Sequence, residues 1–250
     1  MKKWKKYSLL SIGSLLVLCL VVLGILYACR PNLVKGLLGI DTLKGQPYTN
    51  SGYDGIDVSK HNGFIKWKEV AKTPHVKYVF IKATEGKGYV DPRYRKNIRQ
   101  ARKAGLKVGS YHFLTSKYSA TAQFQYFKSV VRKSEQDLIP VLDVENQKVS
   151  WRGKQLQDSV RVFAELVKKH YGKYPIIYSG QSFYNKILGH AFNKYLLFIA
   201  NYNNCQPYVG GKGKCNIWQY SECGHLHGIG YHVDLSRLMN GTTVKDLMLQ

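Results

Sequence analysis

The run Leu138–Glu145, LIPVLDVE, closes on two carboxylates, Asp143 and Glu145. It reads as a buried strand with acids at its end. On a strand, residues i and i+2 share a face, so these side chains would stand about 6.5–7 Å apart along the backbone. Like charges that close push one pKa up and leave one acid and one base near neutral pH. That is the minimal equipment for cleaving a glycosidic bond. The same spacing also occurs on solvated strand ends, and spacing alone favours that plainer reading.

The pair gains meaning from the elements around it. Apolar runs at Gly55–Val58, Lys77–Ala83, Lys107–Phe113, Leu138–Glu145 and Tyr174–Ser179 read as strands, each followed by helical pattern. Asp91-Pro92 predicts a helix start as N-cap and first helical residue, and Gly105 its stop. Ser119 predicts a cap for a helix whose Phe124, Phe127 and Val131 share one face. Leu156, Val160, Phe163, Ala164 and Val167 form an apolar stripe that Gly172 ends. A shorter helix follows Gln181. Leu196–Ala200, Asn216–Tyr220 and His232–Leu235 read as three more strands without amphipathic helices between them. Strands alternating with helices imply parallel βα units. The expected class is therefore α/β, an irregular TIM-like barrel of five βα units followed by three strands.

In such a barrel, catalytic groups lie at the C-terminal ends of strands. Polar residues recur there: Asp57, Glu85, Tyr111, His112, Asp143, Glu145, Tyr178, Asn201, Tyr202, Gln219 and Asp234. Any one of them fits a satisfied strand end. Four acids on one rim of an otherwise cationic protein favour a site.

The chain carries 38 Lys and Arg against 15 Asp and Glu over 250 residues, a formal +23. Residues 49–250 alone hold 31 basic and 14 acidic residues, a formal +17, so the folded part is basic. Such a surplus favours an anionic partner. The basic residues form no Arg-rich helix, zinc-finger spacing or RNP-type motif, which argues against nucleic acid. An anionic cell-wall polymer fits the charge.

Four lysines (Lys2, Lys3, Lys5, Lys6) precede a 21-residue uncharged run, Ser8–Ala28. That length spans a ~30 Å hydrocarbon core, and the lysines place the N-terminus in the cytoplasm. A cleaved signal has a shorter apolar core of roughly 7–15 residues. The expected organisation is a basic tail (1–7), a transmembrane signal anchor (8–28), a linker (29–52) and a catalytic barrel (53–250) outside the cytoplasm at the cell membrane. Two alternatives stay open: secretion after cleavage, and a lipoprotein signal at Cys29. Export makes one disulfide plausible among Cys205, Cys215 and Cys223, and Cys205–Cys215 would close a short Gly-rich loop. The spacing matches no standard zinc pattern, so no metal is expected.

Six ordered motifs carry a family resemblance: Gly55–Ser59 (GIDVS), Phe80–Gly86 (FIKATEG), Gly109–Phe113 (GSYHF), Pro140–Glu145 (PVLDVE), Ile217–Tyr220 (IWQY) and Val233–Leu235 (VDL). Together they resemble glycoside hydrolase family 25, the Chalaropsis-type lysozymes, over residues 53–240 or so. The resemblance implies a barrel of five βα units and three strands. It implies hydrolysis of the β-1,4 bond between N-acetylmuramic acid and N-acetylglucosamine in peptidoglycan, without metal or organic cofactor. By position, Glu145 matches the general acid and Asp143 its partner carboxylate. Asp57 and Asp234 match two further acids that shape the site. Tyr111, Tyr178, Tyr202, Trp218 and Glu85 are the expected substrate contacts, and Trp218 fits buried packing equally well. Two other function classes stay open: a non-catalytic glycan-binding barrel and a basic membrane-disrupting scaffold.

Overall fold

The computed structural model describes residues 52–145, 150–202 and 206–250. Nine strands form one sheet: β1 Gly55–Val58, β2 Tyr78–Glu85, β3 Tyr89–Val90, β4 Lys107–Phe113, β5 Val141–Asp143, β6 Ile176–Gly180, β7 Leu197–Ala200, β8 Ile217–Gly224 and β9 Val233–Leu238. The order is β1-β9-β8-β7-β6-β5-β4-β2-β3, and pairing of β1 with β2 closes eight of the strands into a barrel. The two-residue β3 lies outside that ring, as a short antiparallel partner to the end of β2. Neighbours from β1 round to β8 run parallel. β9 alone runs antiparallel to both of its neighbours, β8 and β1. The expected α/β barrel with a helix-poor last third is the observed architecture.

The helices are α1 Trp67–Val70, α2 Tyr94–Lys103, α3 Ala120–Val130, α4 Gly153–Tyr171, α5 Gln181–Phe183 with a following π turn, and α6 Val244–Leu247. The Ser119 hydroxyl accepts from the Ala122 amide at 3.2 Å and caps α3. All five residues of the predicted α4 stripe are buried. Gly172 ends that helix at φ 95°, a left-handed conformation that suits glycine. α3 and α4 seal against the barrel through Phe124 and Phe163, whose rings meet edge-on at 5.6 Å.

Period-two alternation sends Tyr78, Phe80 and Lys82 of β2 up the inside of the barrel. Phe80 meets Phe198 of β7 at 6.0 Å between ring centres. Gly109, its register partner on β4, makes room: a side-chain carbon there would lie 2.8 Å from the Phe80 ring. The aromatic plug therefore fills the barrel below, and the polar residues of the next turn stand on it at the rim.

Several boundaries differ from the sequence expectation. β5 spans only Val141–Asp143, because Pro140 has no N–H to donate to a ladder. Leu138 and Ile139 pair instead with the C-terminal segment, through a bridge from Leu138 to Met248 and a hydrogen bond from the Ile139 amide to the Leu247 carbonyl. Asp91 does not cap α2. Its carboxylate accepts from the Arg93 and Lys60 amides at 2.9 and 2.8 Å, and α2 starts two residues later. β8 and β9 are longer than expected and form a hairpin above the rim.

Cys215, expected in a bridge to Cys205, carries a free thiol that donates to the Ile217 carbonyl at 3.1 Å. The sulfur is buried beside β8, which commits it to the wall and not to a surface crosslink. Cys205 lies outside the described residues, as do the tail, the apolar run 8–28, Cys29 and the linker up to residue 51. Among the described residues, no helix is long and apolar enough to cross a membrane.

Candidate active site

Strand pairing builds the acid cluster. Asp57 on β1 lies directly opposite Asp234 on β9, and the two carboxyls share a hydrogen bond. Asp143 ends β5, with Glu145 two residues on. Asp57, Asp143, Tyr111 and Tyr178 line one cavity of about 30 Å³ floored by Phe80, Val141 and Phe198. That is room for about one water-sized group. Four of the residues singled out from sequence therefore meet at one point. Glu145 and Asp234 stand close enough to this cavity to act electrostatically on its acids.

Burial is the first cause that holds each of these four acids above the usual carboxylate range, since a charged carboxylate is poorly solvated there. For Asp143 the neighbouring Glu145 adds to it, and Lys82 opposes it. Asp57 is raised to about 6 and Asp234 to about 9. The pair therefore keeps one proton between them at neutral pH. Asp143 Oδ1 is buried with no hydrogen-bond partner. An orphan of this kind is rare in folded proteins and costs stability. The site thus holds a hydrogen-bonding oxygen that the protein itself leaves unpartnered.

Among the described residues, Lys82 is the cation that acts on Asp143 and Glu145. Lys82 Nζ pairs with Glu85 Oε2 at 2.9 Å and lies 4.7 Å from the centre of the Phe113 ring. Glu85 thereby acts on the site through Lys82. Three residues on the other side form a hydrogen-bonded group. Gln219 Nε2 donates to Asp57 Oδ2 at 2.8 Å, and Gln219 Oε1 accepts from the Tyr178 and Tyr202 hydroxyls at 2.7 and 2.6 Å. The Tyr202 ring is 44% exposed, which leaves a face for a ligand.

Trp218 is not brought to the acids. It precedes inward-facing Gln219 and points the other way, against Tyr220 and Arg237. Its indole N–H donates to the Asn201 carbonyl at 2.8 Å and secures the loop after β7. His112 likewise turns outward from Tyr111, under the helices. The sequence reading missed Lys82 and Glu222, both of which act electrostatically on Glu145. A signal for Lys82 was present: it is a lysine inside the apolar run YVFIKA, in period with Phe80.

A larger cavity, about 430 Å³, lies elsewhere, on the outer wall between α1 and the end of α2. Phe64, Trp67, Lys66 and Lys103 line it. Its acid, Glu69, is partly exposed and held below the usual range by Lys72. Nothing there is poised to move a proton, so chemistry and not volume locates the candidate active site.

Comparison with known proteins identifies a family. The model of the family described as glycosyl hydrolases family 25 matches residues 56–229. The Escherichia coli K12 protein YegX is 39% identical over 193 residues, covering 75% of this chain and 70% of that protein. Lysozyme M1 of Streptomyces globisporus is 31% identical over 217 residues, covering 81% and 73% respectively. The crystal structure of the bacterial lysozyme from Streptomyces coelicolor superposes with a TM-score of 0.70 at 30% identity, covering 80% of this chain and 97% of that one.

Proposed function

The chain belongs to glycosyl hydrolases family 25, and on that footing we propose that its barrel cleaves the β-1,4 bond between N-acetylmuramic acid and N-acetylglucosamine in peptidoglycan, with Glu145 as general acid and Asp143 as stabilising carboxylate. It is a glycoside hydrolase of the muramidase class. The observation that carries the assignment of roles is the acid cluster: four carboxyls of a strongly basic chain converge at one end of the barrel, each held above its ordinary pKa by burial.

A general acid must hold its proton near neutral pH and stand where a leaving oxygen can reach it. Glu145 is the most solvent-accessible of the coupled pair and is raised. Its proton passes to the glycosidic oxygen as the bond breaks. Asp143 is deeper and carries the unpartnered oxygen. Burial and Glu145 hold it well above the usual range in the free barrel; the positive charge that develops at the anomeric carbon, together with Lys82, draws it to the ionised form, which opposes that charge directly or by orienting the substrate's acetamido group. The closeness of the two carboxyls suits a retaining outcome, because an inverting enzyme needs room for a water between them. Asp57 and Asp234 hold the floor of the site through their shared proton. Tyr111, Tyr178 and Tyr202 are walls for the sugar rings.

The test compares the full chain with Glu145→Gln on purified cell walls. The wild type is expected to release reducing ends, and the variant to lose at least about 10²–10⁴-fold in rate. Equal release by both proteins would remove Glu145 from the mechanism.

The run 8–28 and its four lysines support a membrane anchor with the barrel outside the cytoplasm, held against an anionic wall by its basic surface. Fractionation of cells expressing the full chain checks this: the protein is expected in alkaline-washed membranes, and recovery in the medium would replace the anchor with a cleaved signal.

A further inference from the structure

The outer-wall cavity between α1 and α2, about 430 Å³, falls within the size range of ligand clefts, about 300–1,000 Å³. Phe64 and Trp67 give its lining two aromatic rings. Trp67 is buried, and its indole N–H donates to Asn97 Oδ1 of α2 at 3.2 Å, which fixes the ring. Phe64 is 54% exposed. Lys96 Nζ lies 4.4 Å from the centre of the Phe64 ring, a cation–π contact that holds the ring in place. An exposed ring held in this way loses little freedom when a ligand packs on it.

The polar part of the lining is cationic. Lys66, Lys68 and Lys103 are exposed there. The acid of the lining, Glu69, is already engaged, with Lys72 at 3.1 Å and His227 Nδ1 at 3.6 Å. Lys66 stands against local preference. It is the N-cap of α1, where Asp, Asn, Ser or Thr would close the first turn, and it makes no side-chain capping bond. Its amide donates instead to the Gly228 carbonyl of the β8–β9 hairpin at 2.8 Å. The position thus carries a charge beside the cavity in place of a cap. The same segment ties the cavity to the rim. Phe64 follows the turn that leaves β1, and Ile65 bridges Ile229 of the hairpin. Tyr231, itself exposed, covers Gly63, where a side-chain carbon would lie 2.6 Å from its ring. An exposed aromatic residue therefore joins the groove to the hairpin whose second strand carries Asp234.

We propose that this groove is a second, non-catalytic binding site for peptidoglycan, which holds a glycan strand while the barrel cleaves. The apolar C–H face of a sugar ring packs on Phe64. The carboxylates of the lactyl and peptide substituents lie against Lys66, Lys68 and Lys103. A bare anion would need only the lysines, and a lipid surface would not enter a cleft. A second point of attachment raises the concentration of strands at the active site without touching the scissile bond. The inference rests on peptidoglycan being the substrate.

The test measures reducing-end release by the full chain on lipid-free sacculi and on a soluble tetrasaccharide of the same repeat. The groove variants are Phe64→Ala and the pair Lys66→Gln with Lys103→Gln. A charge-matched control carries Lys128→Gln and Lys169→Gln on α3 and α4. All of these side chains are exposed, so the core is left intact. Both groove variants are expected to raise KM on sacculi by about tenfold with kcat unchanged, and to keep kcat/KM on the tetrasaccharide within about twofold of wild type. The control should match wild type on both. An unchanged KM on sacculi overturns the proposal. An equal rise in the control reduces the effect to net charge, and an equal loss on both substrates makes the groove part of the barrel's framework; either result also overturns it. Co-sedimentation with sacculi reads binding without turnover and separates the two failures. If the wild type cleaves neither substrate, the muramidase reading falls. The groove still stands if wild type is retained on sacculi and both groove variants are released, and it falls if all are retained alike.

Discussion

Tyr111 and His112 are neighbours on β4, and they open onto two different buried polar groups. Outward, His112 Nδ1 meets Thr84 Oγ1 at 2.8 Å and Nε2 meets Gln123 Oε1 at 3.2 Å. Gln123 Nε2 donates onward to the Thr115 and Tyr118 carbonyls at 2.8 and 2.7 Å. The imidazole stacks on Phe163 at 5.0 Å between ring centres. Burial lowers its pKa to about 4 and keeps it neutral. Inward, Tyr111 shares a cavity with Asp57 and Asp143, and one Asp143 oxygen there bonds to nothing. Both groups are buried and titratable. The outer one is complete and neutral, and it serves to fix α3 on the barrel. The inner one is incomplete until something positive or proton-accepting arrives. Satisfaction of hydrogen bonds, not burial or the presence of a titratable side chain, separates structure from function here.

The contrast predicts opposite responses to substitution, and the largest is on the inside. Glu145→Gln should remove nearly all activity while the protein melts no lower than wild type at neutral pH, because a neutral amide escapes the cost of burying a charge. A variant that is both inactive and clearly less stable would make Glu145 a structural residue like His112. The next largest effect is on the outside. Gln123→Leu orphans His112 Nε2, the Thr115 amide and two carbonyls at once. Unsatisfied buried groups of this kind cost about 1–3 kcal/mol each, reduced where water can enter. The melting temperature should fall by several degrees, while turnover per folded molecule stays within about twofold of wild type. Loss of turnover without loss of stability would break the division between the two groups. Thermal melts paired with reducing-end release read both.

The two groups also differ in how far the sequence foretold them. The inner acids sit in short motifs at strand ends, where residue type and a period of two suffice to place Asp57, Asp143, Tyr111 and Tyr178 around one point. Barrel closure follows from counting strands and helices. What the sequence hid depends on long-range register. That β9 runs antiparallel, and so sets Asp234 against Asp57, is decided by the β8–β9 hairpin, whose polar residues Ser221 and Glu222 disguised its length. The hub at Gln219 joins β8 to β1 across 162 positions of chain. Trp218, one residue earlier, faces out for the same reason that Gln219 faces in. The C-terminal pairing that shortens β5 depends on backbone groups, which leave no trace in side-chain pattern.

The smallest expected effect lies in the pH dependence of stability, where the two groups pull in opposite directions. His112 has a depressed pKa, so its stabilisation is present above about 6.5 and is lost as pH falls toward 4. Asp234 has a raised pKa. Its stabilisation is full below the ordinary aspartate value of 3.8 and is lost as pH rises through about 9. Between those limits the folded protein holds a proton that the unfolded chain has released. Between pH 7 and pH 9 His112 no longer titrates, and the slope belongs to the inner acids, joined toward pH 9 by the buried Cys215 thiol, which is raised to about 12. Stability of the wild type should therefore fall there, by on the order of 1 kcal/mol per pH unit, or about 2–4 °C in Tm. Asp234→Asn carries no such proton and should make that fall shallower, and between pH 4 and 6, where the Asp234 proton offsets the loss set by His112 in the wild type, the variant should lose stability more steeply on acidification. Parallel curves for the two proteins from pH 7 to 9 would mean that the pair Asp57 and Asp234 holds no shared proton.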